Sequence, residues 1–295
     1  MKLAFVILQY MASDETIECI YSIRDHVGVD DYKIIVVDNA SPDDSYEKVK
    51  NIFGQDQDVI LLGGGTNLGF ARGNNVGYQY ALKHYSPEYI ILMNNDILLI
   101  QDNIYGYISD CYQRYGFAVL GPMIMTKDGR YTSSPLAADH QVMPDNKLAT
   151  REMMESSIRE YKLKLKLLKF HVFGPLQRIN QMLKKTDLSN ATLYFQELVN
   201  YRLHGAFMIF SQKYLKAFPG GLDDRTFMYD EEYLLQYHVV KAGMKMVYSP
   251  RYCIYHKEDV SSDLALGRGN KKQRFIFENN IKSRLVYLET IGKSG

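Results

Sequence analysis

Three short polar stretches stand where a sheet protein can do chemistry: Asp38-Asn39-Ala40-Ser41, Gly63-Gly64-Gly65-Thr66-Asn67-Leu68-Gly69 and Asn94-Asn95-Asp96. Each follows an apolar run of strand length, and open parallel sheets bind ligands outside the carboxyl ends of their strands. A glycine-rich turn into a helix offers backbone N–H groups to an anion. The glycine stretch fits neither common phosphate motif, because G-x-G-x-x-G counted from Gly63 meets Leu68 instead of glycine and no G-K-[ST] follows. Further along, Asp230-Glu231-Glu232 opens a helical stretch, where acids complement the helix dipole whatever else they do. His256 ends a short apolar strand, the place of a packed histidine or of a ligand.

The elements that position these residues follow from apolar spacing. Leu3 to Leu8, Lys33 to Asp38, Val59 to Leu62, Tyr89 to Met93 and Phe117 to Leu120 are strand-length runs. Helical patterns stand between them, at Ser13 to Val27, after Ser41-Pro42-Asp43-Asp44 (an N-cap, a first-position proline and a capping acid), at Phe70 to His84 and at Asp102 to Tyr115. Strands alternating with helices predict an α/β fold with a mostly parallel central sheet and helices on both faces. Residues 131–200 break the rhythm. A strand from Leu203 to Phe210, a helix from Asp230 to Ala242, short strands at Met246 to Tyr248 and Tyr252 to Tyr255, and a last helix from Lys272 to Thr290 complete the pattern.

Composition narrows the class. With 295 residues, 46% hydrophobic and 23% charged, the chain has the makeup of a folded globular protein. Its formal charge of +1 gives no global reason to expect nucleic acid. Cys19, Cys111 and Cys253 are widely spaced and fit neither a disulfide framework nor a zinc site, which predicts a reducing compartment. No segment has the apolar length of a signal peptide core or of a bilayer span, so a cytoplasmic protein is expected.

Six motifs, in order, carry a resemblance. Val36-Val-Asp-Asn-Ala-Ser41, Asn67-Leu-Gly-Phe-Ala-Arg-Gly-Asn-Asn75, Leu92-Met-Asn-Asn-Asp96, His204-Gly-Ala-Phe-Met208, Phe227-Met-Tyr-Asp-Glu-Glu-Tyr-Leu-Leu235, and Tyr255-His256 followed by Ser261 resemble family 2 glycosyltransferases of the GT-A fold. The likeness covers about residues 2–130 and 200–262 and points to the bacterial branch that builds capsular, exopolysaccharide and O-antigen chains, rhamnosyltransferases included. It implies a nucleotide-sugar-binding half at 1–130, a basic insertion at 131–200, an acceptor and catalytic half at 201–262, and a C-terminal tail and helix at 263–295.

The resemblance also implies roles. Nucleotide-sugar donors of the UDP or dTDP type would meet Asp38 at the base, Asn67, Arg72 and Asn74 along the nucleotide and diphosphate, and Asn94 and Asn95 near the sugar. A divalent metal, Mg2+ or Mn2+, would sit on Asp96, because Asn94-Asn95-Asp96 replaces the family's Asp-x-Asp and keeps its last carboxylate; His256 would approach the metal or diphosphate. The family's base is the Asp of a Glu-Asp pair, which here reads Glu231-Glu232. Glu232 is therefore the expected base, with Glu231 as its alternative and Asp230 a third option. The implied reaction is an inverting transfer to a glycan or lipid-diphosphate-linked hydroxyl in surface polysaccharide synthesis. Two rivals stand beside it. A non-catalytic, membrane-docked sugar- or nucleotide-binding module fits the altered acids, and a sugar nucleotidyltransferase is disfavoured by Gln9-Tyr10-Met11-Ala12-Ser13 after the first strand.

The even charge hides an uneven distribution. Residues 151–185 hold nine Lys or Arg against three Asp or Glu, a net of +6, which leaves −5 for the rest. Met154, Ile158, Tyr161, Leu165 and Leu168 fit one helical face, while Tyr161-Lys-Leu-Lys-Leu-Lys-Leu167 also alternates with period two. Either a peripheral contact with an anionic membrane at the inner face or a solvated insertion or subunit contact accounts for this segment.

Overall fold

A strand buried on both faces needs apolar residues on both, and the N-terminal runs supply them. In the computed structural model, which describes residues 1–129, 131, 134, 147–170, 194–258, 260–267 and 269–293, Leu3–Gln9 (β1), Tyr32–Asp38 (β2), Val59–Gly63 (β3) and Tyr89–Asn94 (β4) pair in parallel in the order β3-β2-β1-β4. Ser13–His26 (α1), Ser45–Phe53 (α2) and Gly69–Tyr85 (α3) are the crossovers. Register aligns the strand ends: Gln9 lies opposite Asp38, Asp38 opposite Gly63, and Leu8 opposite Asn94. All four C-termini therefore open onto one edge.

The second half of the sheet returns to that edge by a different route. Ile97–Leu99 (β5) is followed by Ile104–Tyr115 (α4) and Val119–Thr126 (β6); after the insertion come Leu198–Val199 (β7), Phe207–Ser211 (β8), Gln212–Ala217 (α6) and Met246–His256 (β9). Strand β8 slots between β4 and β6 and runs against both, while β9 runs parallel to β6. The start of β8 and the end of β9 thus reach the edge where β1 to β4 finish. The α/β expectation holds, with the parallel pairs confined to β1–β4 and β6–β9. The two C-terminal strands expected around Tyr248 and Tyr252 are one strand, since a register shift opposite Pro122/Met123 absorbs the intervening residues.

Alternating residues of β1 face opposite cores. Leu3, Phe5 and Ile7 pack with Cys19, Ile20 and Ile23 of α1, Phe53 of α2 and Ile108 of α4. Ala4 and Val6 pack with Ala71 and Tyr78 of α3, Tyr214 of α6 and Leu235 of the helix Glu231–Lys241 (α7). A third, smaller cluster joins Met154 of Arg151–Lys169 (α5), Tyr233 and Tyr237 of α7 and Tyr287 of the C-terminal helix Asn270–Gly292 (α9); a short helix, Val260–Leu266 (α8), precedes α9. The basic segment is therefore helical over α5, capped by Thr150 Oγ1, which accepts from Met153 N at 3.3 Å. Its period-two alternation builds no strand there, and residues 171–185 lie outside the described residues.

Candidate active site

The first strand-end acid organises its own loop. Asp38 Oδ1 accepts from Gln9 Nε2 at 3.1 Å and from Ser41 Oγ at 2.6 Å, and Oδ2 accepts from Ser41 N at 3.0 Å. Ser41 Oγ in turn accepts from Met11 N at 2.7 Å, tying the β1–α1 loop to the β2–α2 loop. Ser41 is thus spent on this network and does not cap α2, which starts at Ser45. An ionised carboxylate has about four acceptor positions, so Asp38 keeps room for one further donor.

The asparagines fix backbone. Asn39 Nδ2 donates to Asn67 Oδ1 and to Gly69 O, both at 3.1 Å, while Asn39 Oδ1 accepts from Leu68 N at 2.8 Å. Asn67 Oδ1 also accepts from Gly69 N at 2.9 Å. Asn95 is buried and donates to Ala12 O and Thr16 Oγ1 at the start of α1, and its Oδ1 accepts from Ser261 Oγ of α8 at 3.3 Å. Asn74 donates to Phe70 O within α3, with its Oδ1 buried and without a hydrogen-bond partner. Arg72 lies in the first turn of α3. Its Nε donates to Asp224 O at 2.7 Å, in a cleft of about 720 Å³ shared with Asn75, Gln79, Asp223 and His238.

At the end of β4 the chain turns through Asn94-Asn95-Asp96 into β5, which pairs Ile97 with His256. Asp96 and His256 are both buried, with His256 Nε2 3.2 Å from Asp96 Oδ1. Neither Asp96 Oδ1 nor His256 Nδ1 has a hydrogen-bond partner. Buried polar atoms are normally satisfied, so this pair has unused ligand capacity. The His204 ring meets His256 edge-on at 5.8 Å, and its Nδ1 accepts from Ala206 N at 3.0 Å. Burial, and then the neighbouring His256, push His204 down to about 3, so it is a neutral imidazole. Among the described residues no group of three or more His, Cys, Asp or Glu is assembled as a metal site.

The acid cluster joins this edge through Gly205. Glu232, in the first turn of α7, accepts from Gly205 N on Oε1 at 3.0 Å. A Cβ on Gly205 would stand 2.6 Å from that oxygen, which is why glycine follows His204. Asn94 N donates to Ala206 O at 2.9 Å, so one short stretch, His204–Ala206, links the Asp96–His256 pair to Glu232. Burial is the largest cause raising the Glu232 carboxyl above its ordinary value, opposed by its own helix N–H, the Arg202 charge and the Gly205 N–H. Glu231 is more buried; desolvation and then the Glu232 charge push it well above the ordinary range, and its Oε1 has no hydrogen-bond partner. Asp230 is committed elsewhere, since its Oδ2 accepts from Arg284 Nε at 2.6 Å. Gly205 falls within the His204–Met208 motif but had no role assigned from sequence, and nothing local marks Arg284.

With the geometry in place, comparison with known proteins decides the family. The family profile described as Glycosyl transferase family 2 matches residues 5–173, more than half of the chain. The chain belongs to glycosyltransferase family 2. Two curated members of similar sequence are the low-salt glycan biosynthesis hexosyltransferase Agl10 of Haloferax volcanii, 25% identical over 43% of this chain and 38% of that protein, and the rhamnosyltransferase WbbL of Escherichia coli K12, 21% identical over 78% of this chain and 80% of that protein. Among solved structures, S. aureus TarS 1-349 superposes with a TM-score of 0.52 at 12% identity over 90% of this chain and 63% of that one. Its complex with UDP-GlcNAc superposes at 0.53, over 97% of this chain and 67% of that one. These neighbours fix the GT-A fold of this family 2 chain, which spans well under half of Agl10 and under two thirds of the first TarS fragment.

Proposed function

We propose that the protein is an inverting glycosyltransferase that moves a hexosyl or rhamnosyl unit from a UDP- or dTDP-sugar to a hydroxyl of a glycan or lipid-diphosphate-linked acceptor in surface polysaccharide assembly. The observation that carries this reading is Glu232, a half-buried residue whose carboxylate accepts from the Gly205 N–H next to the start of β8, at the sheet edge where β1 to β4 end. Glu232 takes the proton of the acceptor hydroxyl, the acceptor oxygen bonds to the anomeric carbon, and the bond from that carbon to the diphosphate oxygen breaks with its electron pair leaving on the nucleoside diphosphate. Glu231, deeper and held toward its neutral form, serves α7 as a buried acid and is the second candidate for the base.

Asp38 suits the donor base, because its remaining acceptor position can take a ring N–H such as uracil or thymine offers. Asn94 faces the sugar, and Asn67, Asn74 and Asn95 shape the loops around the donor. Arg72 reaches the diphosphate only after leaving Asp224. Asp96 and His256 would hold a divalent cation, Mg2+ or Mn2+, and their unsatisfied buried atoms support that assignment. When bound, the ion supplies neutralisation of the leaving diphosphate charge. Two protein ligands bind such an ion weakly until the diphosphate adds oxygens. The names of WbbL and Agl10 favour rhamnosyl or hexosyl transfer.

A lipid-linked acceptor requires a membrane surface, and α5 offers one. Arg159, Lys162, Lys166 and Lys169 are exposed along one side of that helix with Leu163 and Phe170 among them, the composition of a contact with anionic lipid at the inner membrane face.

The test is a thermal-shift panel of UDP, dTDP, GDP and CMP, each with and without Mn2+. A nucleotide at about 100 times its dissociation constant adds about 2.7 kcal/mol of apparent stability. Stabilisation by UDP or dTDP, enhanced by Mn2+, is expected; a response to GDP or CMP alone would overturn the role of Asp38.

A further inference from the structure

The loop that delivers the acid pair is anchored to the C-terminal helix, which lies outside the stretch matched by the family profile. Phe227 and Tyr229 meet Phe275 of α9 edge-on at 6.4 and 6.3 Å. Ser283 Oγ donates to Met228 O at 3.4 Å, and Arg225 Nη2 donates to Thr290 Oγ1 at 2.7 Å. The last anchor is the strongest chemically. Arg284, 4% exposed, donates from Nε to Asp230 Oδ2, and its guanidinium lies 4.7 Å from the Tyr161 ring of α5 and 5.7 Å from the Tyr233 ring of α7. A buried cation is tolerated only when paired, and Asp230 is a partner at charge-assisted hydrogen-bond distance.

Backbone geometry shows what that pairing holds in place. Tyr229 and Asp230 both have positive φ, 69° and 62°, and the next residue begins α7. Two successive non-glycine residues in the left-handed region persist only where their surroundings enforce it. Two residues after Asp230, in the first turn of α7, stands Glu232, whose Oε1 must arrive at Gly205 N.

We propose that Arg284 is a positioning residue for the general base: by pairing with Asp230 it holds the left-handed entrance to α7 and balances the negative charge beside Glu232. The proposal rests on the reading of Glu232 as the base. The charged groups that act on Glu232 are Asp230 and Arg202, in opposite directions, with Glu231 next to it in the chain; Arg284 of α9 pairs with Asp230, and Tyr161 of α5 lies against Arg284. Asp230 acts on Glu232 in the direction that favours the protonated acid. Removing its cation partner therefore makes Glu232 harder to ionise, and removing Asp230 makes it easier.

Carboxyl NMR on the full chain labelled with 13C-glutamate reads this without any substrate, the resonance missing from Glu232→Gln identifying Glu232. Its titration midpoint is expected to fall by about half a pH unit or more in Asp230→Asn and to rise by a similar amount in Arg284→Gln, as one charge at this range acts across a protein interior. Arg284→Lys, which keeps the charge, should stay near wild type. If Arg284→Gln does not fold, Asp230→Asn decides alone. Midpoints that do not move in folded variants overturn the proposal whatever the turnover. Turnover by Glu232→Gln equal to wild type overturns the reading of Glu232 as base, and the positioning role with it, even where the midpoints move.

Discussion

At the scale of single residues, the site depends on close approaches that leave no slack. Gly205 has room for hydrogen alone against Glu232 Oε1, so Gly205→Ala should push the carboxylate off its N–H donor and lower turnover by about 10- to 100-fold, a misplacement effect. An unchanged circular-dichroism spectrum would place the loss in the site and not in the fold. Asp96 Oδ1 and His256 Nδ1 are buried without a hydrogen-bond partner, and the proposed metal role of Asp96 can be tested on that basis. Asp96→Asn should abolish the extra thermal shift that Mn2+ adds to a bound nucleotide while the shift from nucleotide alone survives, measured by differential scanning fluorimetry. Both residues were legible as motif members because Asp96 follows a strand end and His256 closes a strand. Gly205 gained its meaning only when α7 was seen to lay Glu232 on it, and Asp230 pairs with Arg284, a partner 54 residues away that no local pattern points to.

At the scale of elements, two distant motifs work as one because they touch. Gly69 has φ 79°, and a Cβ there would stand 2.1 Å from Phe227 O, which also accepts from Phe70 N at 2.6 Å. Gly69→Ala should therefore cost about 2 kcal/mol or more in urea unfolding, through strain and collision together. The same loop contributes to the pH dependence of stability. Burial disfavours the Asp223 charge, but hydrogen bonds from Arg225 and His238 outweigh it and hold the carboxyl below its usual range. A depressed folded value means stabilisation that is fully present above the unfolded value of about 3.9 and is lost as pH falls through the folded one. Urea midpoints for wild type should drop below about pH 4, and Asp223→Asn should flatten that drop. The βα units were legible because each apolar run stands alone between helical spacings. Strand β5 was not, since three residues carry no period, and β8 was legible within the Leu203 to Phe210 run but not in its direction, because nothing within Phe207–Ser211 shows that it runs antiparallel between β4 and β6. Ser249-Pro250-Arg251 reads as a break, yet the bulge at Pro122/Met123 carries β9 through it.

At the scale of the molecule, one sheet edge gathers strand ends from both halves of the chain, and α5, α7 and α9 close around the acid cluster behind it. The near-zero formal charge conceals a cationic helix on that outer side. Co-sedimentation with vesicles containing anionic phospholipid should be strong at low salt and fall as salt rises, and a Lys162→Glu/Lys166→Glu/Lys169→Glu variant should remain in the supernatant. Binding that ignores salt or the triple variant would remove the membrane contact from the account. No helix among the described residues is long and apolar enough to cross a membrane. The claim on which the rest depends is that Glu232 is the base of a sugar transfer. The direct measurement is release of nucleoside diphosphate, with Mn2+, from the donor that the thermal panel selects, comparing wild type, Glu231→Gln and Glu232→Gln at equal nucleotide occupancy. The account predicts that Glu232→Gln binds nucleotide like wild type and turns over about 100- to 10,000-fold more slowly, with Glu231→Gln less affected. Turnover by Glu232→Gln at the wild-type rate would contradict it.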